Sequence, residues 1–327
     1  MKGISVIICC YNSGNKLVAT LHHLAKQQSL PGISFELIIV DNNCTDNTII
    51  LASAIWSSLN TPFLLTIVQQ ILPGLNYARG MGIKTAHYDY IVLCDDDNWL
   101  RDDYLLKIYR LFEAMPEVGL IGGVGEAVME TAAPGWFIEL DGFGYAIGTE
   151  GRKTGFVASV YGAGMGIRKS VFTQIINDKF SFLLSDRKGR HLSSGGDTEI
   201  CLLLANAGHK IYLDTSLIFK HFLSSNRLEW SYYLRLRRSF GKAAAYLQLY
   251  EPLPERKRVT QFLRLAKFTL SHLKYILFSS YFKNARCADF VQQFSMKLTC
   301  LIDNKKMEAV AGRIKTTANK KKLLQHT

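Results

Sequence analysis

Tyr90-Ile91-Val92-Leu93-Cys94-Asp95-Asp96-Asp97 is a short apolar run that breaks into three consecutive carboxylates. Four to five apolar residues, β-branched among them and bounded by polar ones, read as a strand buried on both faces. Adjacent carboxylates repel one another, and a strand end has no structural use for three of them. A divalent cation removes the conflict, because hard cations such as Mg²⁺ or Mn²⁺ take oxygen ligands and keep phosphate oxygens in their shell. The competing reading is a solvated turn into the next helix, with Asp102 and Asp103 as its acidic first turn.

The same pattern recurs upstream. Ile4–Cys9 is closed by Asn12-Ser13-Gly14, Phe35–Val40 ends at Asp41-Asn42-Asn43, and Phe63–Val68 is a third apolar run. Between them lie helical spacings: Leu17, Leu21, Leu24 and Ala25; Ile49, Ile50, Ala52 and Ile55 after Thr45-Asp46; Gly74 to Ala86; and Leu100–Met115, stopped by Pro116. Strands alternating with helices predict βαβ units and a mostly parallel sheet. The polar clusters fall at the carboxyl ends of the first, second and fourth strands, the edge at which open α/β sheets bind ligands.

Beyond residue 116 the alternation stops. Val118–Val124 is glycine-flanked, 125–160 read as irregular loops or hairpins, and Tyr161–Ile167 is glycine-rich before a helix from Lys169. Residues 180–195 read as a loop, Gly196–Ala207 as a helix, and Lys210–Leu213 and Leu217–His221 as two short strands. From 226 onward the pattern is helical with basic faces, and 303–327 are expected to fray.

The 327 residues allow one large domain with an appendage, or two domains. With 48% apolar and 20% charged residues the chain is neither a disordered segment nor a disulfide-framed miniprotein. No stretch offers the ~18 uninterrupted apolar residues of a spanning helix, which excludes a polytopic membrane protein. The net charge of +12 is uneven: residues 251–327 hold 16 Lys/Arg against 5 Asp/Glu. Such a segment seeks anions. Seven cysteines, an odd number with no CxxC pair, read as reduced thiols in a cytoplasmic protein. The apolar start Met1–Cys10 reads as a first strand rather than a signal peptide, since no small-residue cleavage site follows it.

Ser5-Val6-Ile7-Ile8-Cys9-Cys10-Tyr11-Asn12, Glu36–Asn42, Pro73-Gly74-Leu75-Asn76-Tyr77-Ala78-Arg79 and Ile91–Asp97 occur in an order that resembles the family 2 glycosyltransferases. The resemblance spans residues 1 to about 225 and implies a GT-A-type α/β fold: a nucleotide-sugar-binding sheet flanked by helices, with 226–327 as a basic α-helical extension. It implies that Cys9, Tyr11 and Asn12 line the nucleotide pocket and that Asp41 binds the base, although an Asx turn would also use Asp41. Gly74 and Arg79 would approach the nucleotide or its diphosphate. Many relatives carry Asn after that arginine, where this chain has Gly80. The family's Asp-x-Asp motif maps onto Asp95-Asp96-Asp97. Asp95 or Asp96 would face the ribose, Asp97 would bind the metal with Asp95 beside it, and His221 would be a further ligand.

Relatives usually show Glu-Asp where this chain has Gly196-Asp197, and the Asp is the catalytic base. Asp197 therefore takes that role, with Glu199 as the next candidate, against the plain alternative of helix capping. Gly162, Ala163 and Gly164 resemble the small-residue loop beside the acceptor. The implied reaction moves one sugar, with inversion, from a nucleotide-diphosphate sugar, a UDP-sugar above others, to a saccharide or lipid-linked saccharide. A divalent metal, Mn²⁺ or Mg²⁺, would assist, and the setting would be surface-polysaccharide assembly. Arg235-Leu236-Arg237-Arg238 departs from the Gln-x-x-Arg-Trp motif of processive synthases, which favours single addition. A relative that binds the nucleotide sugar without catalysis is the alternative, motivated by Gly196.

Residues 256–300 interleave Arg and Lys with Phe, Leu, Tyr and Ile. A basic amphipathic stretch of this kind suits an anionic membrane surface, which would make the protein peripheral on the inner face of the cell membrane. The alternative is a helical cap with a solvated basic face. Nucleic acid is not an expected partner, because the basic tail alone would motivate it.

Overall fold

A computed structural model of the chain describes residues 2–29, 31–140, 147, 153–176, 182–184, 187, 193–250, 258–279, 281–303 and 307. The expectations for a loop across 180–195 and for fraying at 303–327 lie largely outside these residues. Contacts divide the chain into two compact units, one of residues 1–191 and 196–225, the other of 192–195 and 226–327.

The first unit carries the alternating pattern. Its elements are β1 (Gly3–Cys10), α1 (Lys16–Ala25), β2 (Ser34–Asp41), α2 (Thr48–Ser58), β3 (Leu64–Gln69), α3 (Leu75–Thr85), β4 (Tyr90–Leu93), β5 (Asn98–Leu100) and α4 (Tyr104–Ala114). Next come β6 (Val118–Met129), α5 (Gly135–Glu139), β7 (Gly155–Phe156), β8 (Gly166–Arg168), α6 (Lys169–Ile176), α7 (Gly196–Asn206) and β9 (Lys210–Leu223). Among the described residues these strands form one sheet in the order β3-β2-β1-β4-β8-β6-β9-β5, with β7 on β9. Strands β3, β2, β1 and β4 are parallel, and β8 enters antiparallel between β4 and β6.

The apolar runs form buried strands because each face has a cover. Val6 and Ile8 join Leu17, Leu21, Trp56 and Leu105 in the core under α1, α2 and α4. Ile7 points to the other face, where α3 lies so close that a Cβ on Gly82 would collide with it. That approach fixes α3 on β1 and β2, and Arg79 sits one helical turn earlier.

Two expectations change. The predicted pair of short strands at 210–213 and 217–221 is a single strand, β9. Its register on β6 jumps from Gly122↔Leu213 to Val124↔Ile218, so Asp214-Thr215-Ser216 bulge out and mimic a turn. The irregular stretch expected from 125 begins with regular pairing instead, since β6 runs to Met129 alongside β9.

The second unit is helical, as expected: α8 (Trp230–Leu247), α9 (Arg258–Ser271), α10 (Leu273–Phe278) and α11 (Ala285–Ile302). Helices α8 and α11 approach backbone to backbone at Gly241, where a Cβ would strike the carbonyl of Gln292. Ser295 donates to the Arg238 carbonyl at 2.8 Å, and the buried Arg237 guanidinium pairs with Asp289. Asn284 caps α11 by accepting from the Cys287 amide at 3.0 Å. Among the described residues no helix is long and apolar enough to cross a membrane, and all seven cysteines are free thiols.

Candidate functional site

The site is built at the carboxyl edge of the parallel strands. Where β4 ends, the chain turns through Asp95–Asp97, and Asn98 organises the turn. Its side-chain oxygen accepts from the Asp95 backbone N–H at 3.1 Å, while its own backbone N–H donates to the Asp95 carbonyl at 3.2 Å. Asn98 then opens β5, whose antiparallel pairing with β9 sets Asn98 opposite His221. This register, closed over more than a hundred residues of sequence, brings His221 Nε2 to 3.4 Å from Asp97 Oδ1, with both side chains buried. Burial, then the charge of Asp97, pushes Asp96 up to about 6, and Asp95 adds to it.

Among the described residues no group of three or more His, Cys, Asp or Glu side chains is arranged to hold a metal. Asp97 and His221 nevertheless place two side chains of ligand type side by side, next in sequence to Asp95 and Asp96; oxygen and imidazole donors of this kind suit a divalent cation whose shell phosphate oxygens complete.

The second half of the site comes from the 160s. Met165 accepts from the Leu93 amide at 2.9 Å, which ties this turn to the end of β4. Three residues earlier, the Gly162 amide donates to Asp197 Oδ2 at 3.2 Å. A Cβ on Gly162 would lie 3.1 Å from the Asp197 Cβ and 3.2 Å from Arg79 Nη2. The guanidinium of α3 and the carboxylate in the first turn of α7 thus flank one glycine, and a bulkier residue there would push them apart. Asp197 is half-buried, and Oδ1 accepts from the Thr198 amide at 2.8 Å, so capping and site geometry coexist.

Several expected roles need correction. Glu199 is fully buried and its carboxylate accepts from the Leu183 and Leu184 amides at 2.5 and 3.1 Å, so it fastens that segment rather than meeting an acceptor. Ala163 lies in the core, and the Gly164 carbonyl accepts from the Tyr104 hydroxyl at 2.8 Å; of the small-residue loop, Gly162 is the one that borders Asp197. Asn12, held in the left-handed region at φ 52°, spends its side chain on Thr45: it accepts from that amide at 2.7 Å and donates to the hydroxyl at 3.1 Å. Asp41 Oδ1 accepts from the Cys44 amide three residues on at 2.8 Å, so one of its oxygens shapes the turn after β2. Tyr11 is exposed and Cys9 half-buried at the end of β1.

Asn42 was not singled out from sequence, yet it builds much of this edge. Its amide donates to the Gln70 and Leu72 carbonyls at 2.8 Å each, and its oxygen accepts from Gly74 at 2.8 Å. It thereby sets the Gln70–Gly74 segment, whose glycine at φ 143° starts α3 and so aims Arg79. An asparagine directly after an apolar strand is the sequence signal that could have found it.

Parts of the chain are similar to known proteins. The glycosyltransferase GlyG of Streptococcus pneumoniae serotype 4 is 31% identical over 107 residues, 33% of this chain and 34% of that protein. The poly-beta-1,6-N-acetyl-D-glucosamine synthase of Staphylococcus epidermidis is 28% identical over 123 residues, 38% of this chain and 28% of that protein. The matched stretch thus spans about a third of the length of these curated relatives. In fold, the crystal structure of S. aureus TarS superposes with a TM-score of 0.50 at 15% identity, covering 97% of this chain and 54% of that one. Its 1-349 fragment in complex with UDP-GlcNAc gives 0.51 at 14% identity, with 91% of each chain covered. The family model of glycosyl transferase family 2 matches residues 5–176, more than half of the chain and all of the sheet edge up to Gly162, and the chain is a member of that family.

Proposed function

We propose that the protein is an inverting glycosyltransferase that moves one sugar from a nucleotide-diphosphate sugar to a hydroxyl of a saccharide or lipid-linked saccharide in surface-polysaccharide assembly. The observation that carries this reading is the convergence of Arg79, Gly162 and Asp197 on a turn bonded to the strand that delivers Asp95–Asp97. The relatives' names, and the UDP-GlcNAc bound to the fragment of similar fold, favour a UDP-sugar donor.

The donor's diphosphate would lie toward Arg79, a buried cation on α3. Asp97 and His221 would hold a divalent metal, Mn²⁺ or Mg²⁺, which would neutralise charge on the departing diphosphate. The acceptor hydroxyl attacks the anomeric carbon from the face opposite the leaving group. One carbon–oxygen bond forms as the bond to the diphosphate breaks, and the configuration inverts. Asp197 takes the hydroxyl proton in that step, with Gly162 N–H holding one of its oxygens in place. A lipid-linked acceptor would put the enzyme at the inner face of the cell membrane.

The test is a screen of UDP-sugars against saccharide acceptors, scored by released UDP with Mn²⁺, with Mg²⁺ and with a chelator, and by the anomeric configuration of the product. UDP released with inversion, and lost on chelation, is the expected result. Donor binding without product under every condition would leave the non-catalytic reading instead.

A further inference from the structure

Helices α9, α10 and α11 enclose an open groove of about 360 Å³ within the C-terminal unit. Its floor is aromatic: His272 stacks on Phe290 at 5.5 Å, Phe268 on Phe290 at 5.6 Å, and Tyr275 lies 6.1 Å from Phe290. Its rim carries two exposed cations, Lys274 and Arg286. The acid that also lines it, Asp289, pairs with the buried Arg237 guanidinium, so its charge is already matched. No Asp or Glu occurs anywhere from 256 through 288, while eight Lys and Arg do.

Beside the groove, α9 turns an apolar stripe to solvent. Val259, Phe262, Leu263 and Leu270 fall on one helical face and are 71%, 57%, 61% and 73% exposed, while Leu265 on another face is buried. Leu277 and Tyr281 continue the exposure at 64% and 81%. Apolar side chains displayed at this density mark an interaction surface. Cations without acids among them select a partner whose own surface is anionic.

We propose that this face docks on an anionic phospholipid leaflet. The phosphate of one headgroup enters the groove between Lys274 and Arg286, and the stripe of α9 enters the acyl boundary beside it. The proposal deepens the membrane setting given above, and it depends on no step of sugar transfer.

The test is co-sedimentation of the full chain with phosphatidylcholine vesicles, with and without phosphatidylglycerol. The wild type should bind the anionic vesicles, and Lys274→Gln/Arg286→Gln should bind them about 30-fold less tightly, from roughly 1 kcal/mol per basic residue at the surface. Phe262→Ser/Leu270→Ser should weaken binding in high salt, where charge is screened. Circular dichroism and UDP binding serve as checks that the variants fold. A wild type that ignores anionic vesicles at low salt overturns the proposal. So does an equal loss from Lys320→Gln/Lys321→Gln, which would assign the effect to tail charge at large. Inorganic phosphate that competes for the groove without any vesicle binding would likewise overturn it, as a free-anion site. If UDP fails to bind the wild type while vesicles bind, the transferase reading falls and this one stands.

Discussion

Glu36, near the start of β2, and Asp96, just past the end of β4, stand toward opposite ends of the parallel half of the sheet, and their surroundings differ in kind. Burial alone would raise the pKa of Glu36, yet hydrogen bonds from Ser5 and from the His87 ring and backbone outweigh it and hold the carboxyl below its ordinary range. The contacts are short: Ser5 Oγ at 2.5 Å, the His87 amide at 2.8 Å and the His87 ring at 2.7 Å. At the other end three carboxylates crowd together, and Asp96 is pushed the opposite way. A buried acid whose oxygens are all spoken for is part of the scaffold. Acids whose mutual repulsion the protein leaves standing are where the proposed cation and diphosphate would act.

The largest effect is expected at Asp97. Asp97→Ala should take transfer to background, since a metal-held diphosphate contributes several kcal/mol of transition-state stabilisation, or roughly 10³-fold and more. The fold should survive, because relief of repulsion among the three acids offsets loss of the buried contacts of Asp97 with His221 and Asn98. In thermal melts, Mn²⁺ with UDP should raise the wild-type Tm and leave that of the variant unchanged. Equal Mn²⁺-dependent shifts in the two proteins would show that the frustrated acids serve no metal.

Next comes Asp197→Asn, which keeps size and capping but removes basicity. General base catalysis is typically worth about 10²–10⁴-fold, so turnover should fall by that much while donor affinity is nearly preserved. Near-normal turnover would reduce Asp197 to a helix cap. Glu199 could not simply replace it, because both its oxygens are engaged with the 183–184 backbone.

A smaller loss is expected at Gly162. Ala is allowed by its backbone, but the new methyl would sit 3.1 Å from Asp197 and 3.2 Å from Arg79. Displacing either by a few tenths of an ångström should cost roughly tenfold in turnover, a fraction of what a full 1 Å misplacement costs. An unaffected Gly162→Ala enzyme would mean that these two side chains do not act on one reacting centre.

What the sequence discloses about these regions follows the reach of each interaction. The parallel half was legible because both faces of β1, β2 and β4 are covered, so Ile4–Cys9, Phe35–Val40 and Tyr90–Cys94 stand out as apolar runs, interrupted only at Ser5 and Glu36. The polar residues at their carboxyl ends were legible for the same reason. Strand β5 was not: Asn98-Trp99-Leu100 is too short to show a period, and it is a strand because β9 pairs with it from over a hundred residues away. The same distance hides the contact of Asp97 with His221. The true posts of Glu199, Ala163 and Gly164 were hidden too, since neither burial at the start of a helix nor a hydroxyl such as that of Tyr104 reaching a carbonyl has a local signature. The Ser5–Glu36–His87 cluster joins residues 31 and 51 positions apart, and Glu36 inside an apolar strand was its one visible trace.

Glu36→Gln probes the scaffold end of the sheet, and its effect on turnover should be nil. The carboxylate accepts two hydrogen bonds on one oxygen and a ring contact on the other, whereas a glutamine presents an NH₂ group where one acceptor is needed. Bonds to a buried charged acceptor are worth about 1.5–3 kcal/mol, so near neutral pH the variant should lose that much stability. The pH dependence has a definite sign. The folded carboxyl is held below its ordinary value of 4.5, so the folded state gives up the proton more readily than the unfolded chain. Its contribution is complete above that value and is lost as pH falls through the folded pKa. The wild-type advantage over Glu36→Gln in urea unfolding should therefore stay level from neutral pH down to about pH 5 and shrink in more acid solution. A gap that persists undiminished in acid would mean that shape, and not ionisation, is what Glu36 supplies. A gap accompanied by lost turnover would mean that the two ends of the sheet are coupled, and the division between satisfied and frustrated carboxylates would no longer separate scaffold from site.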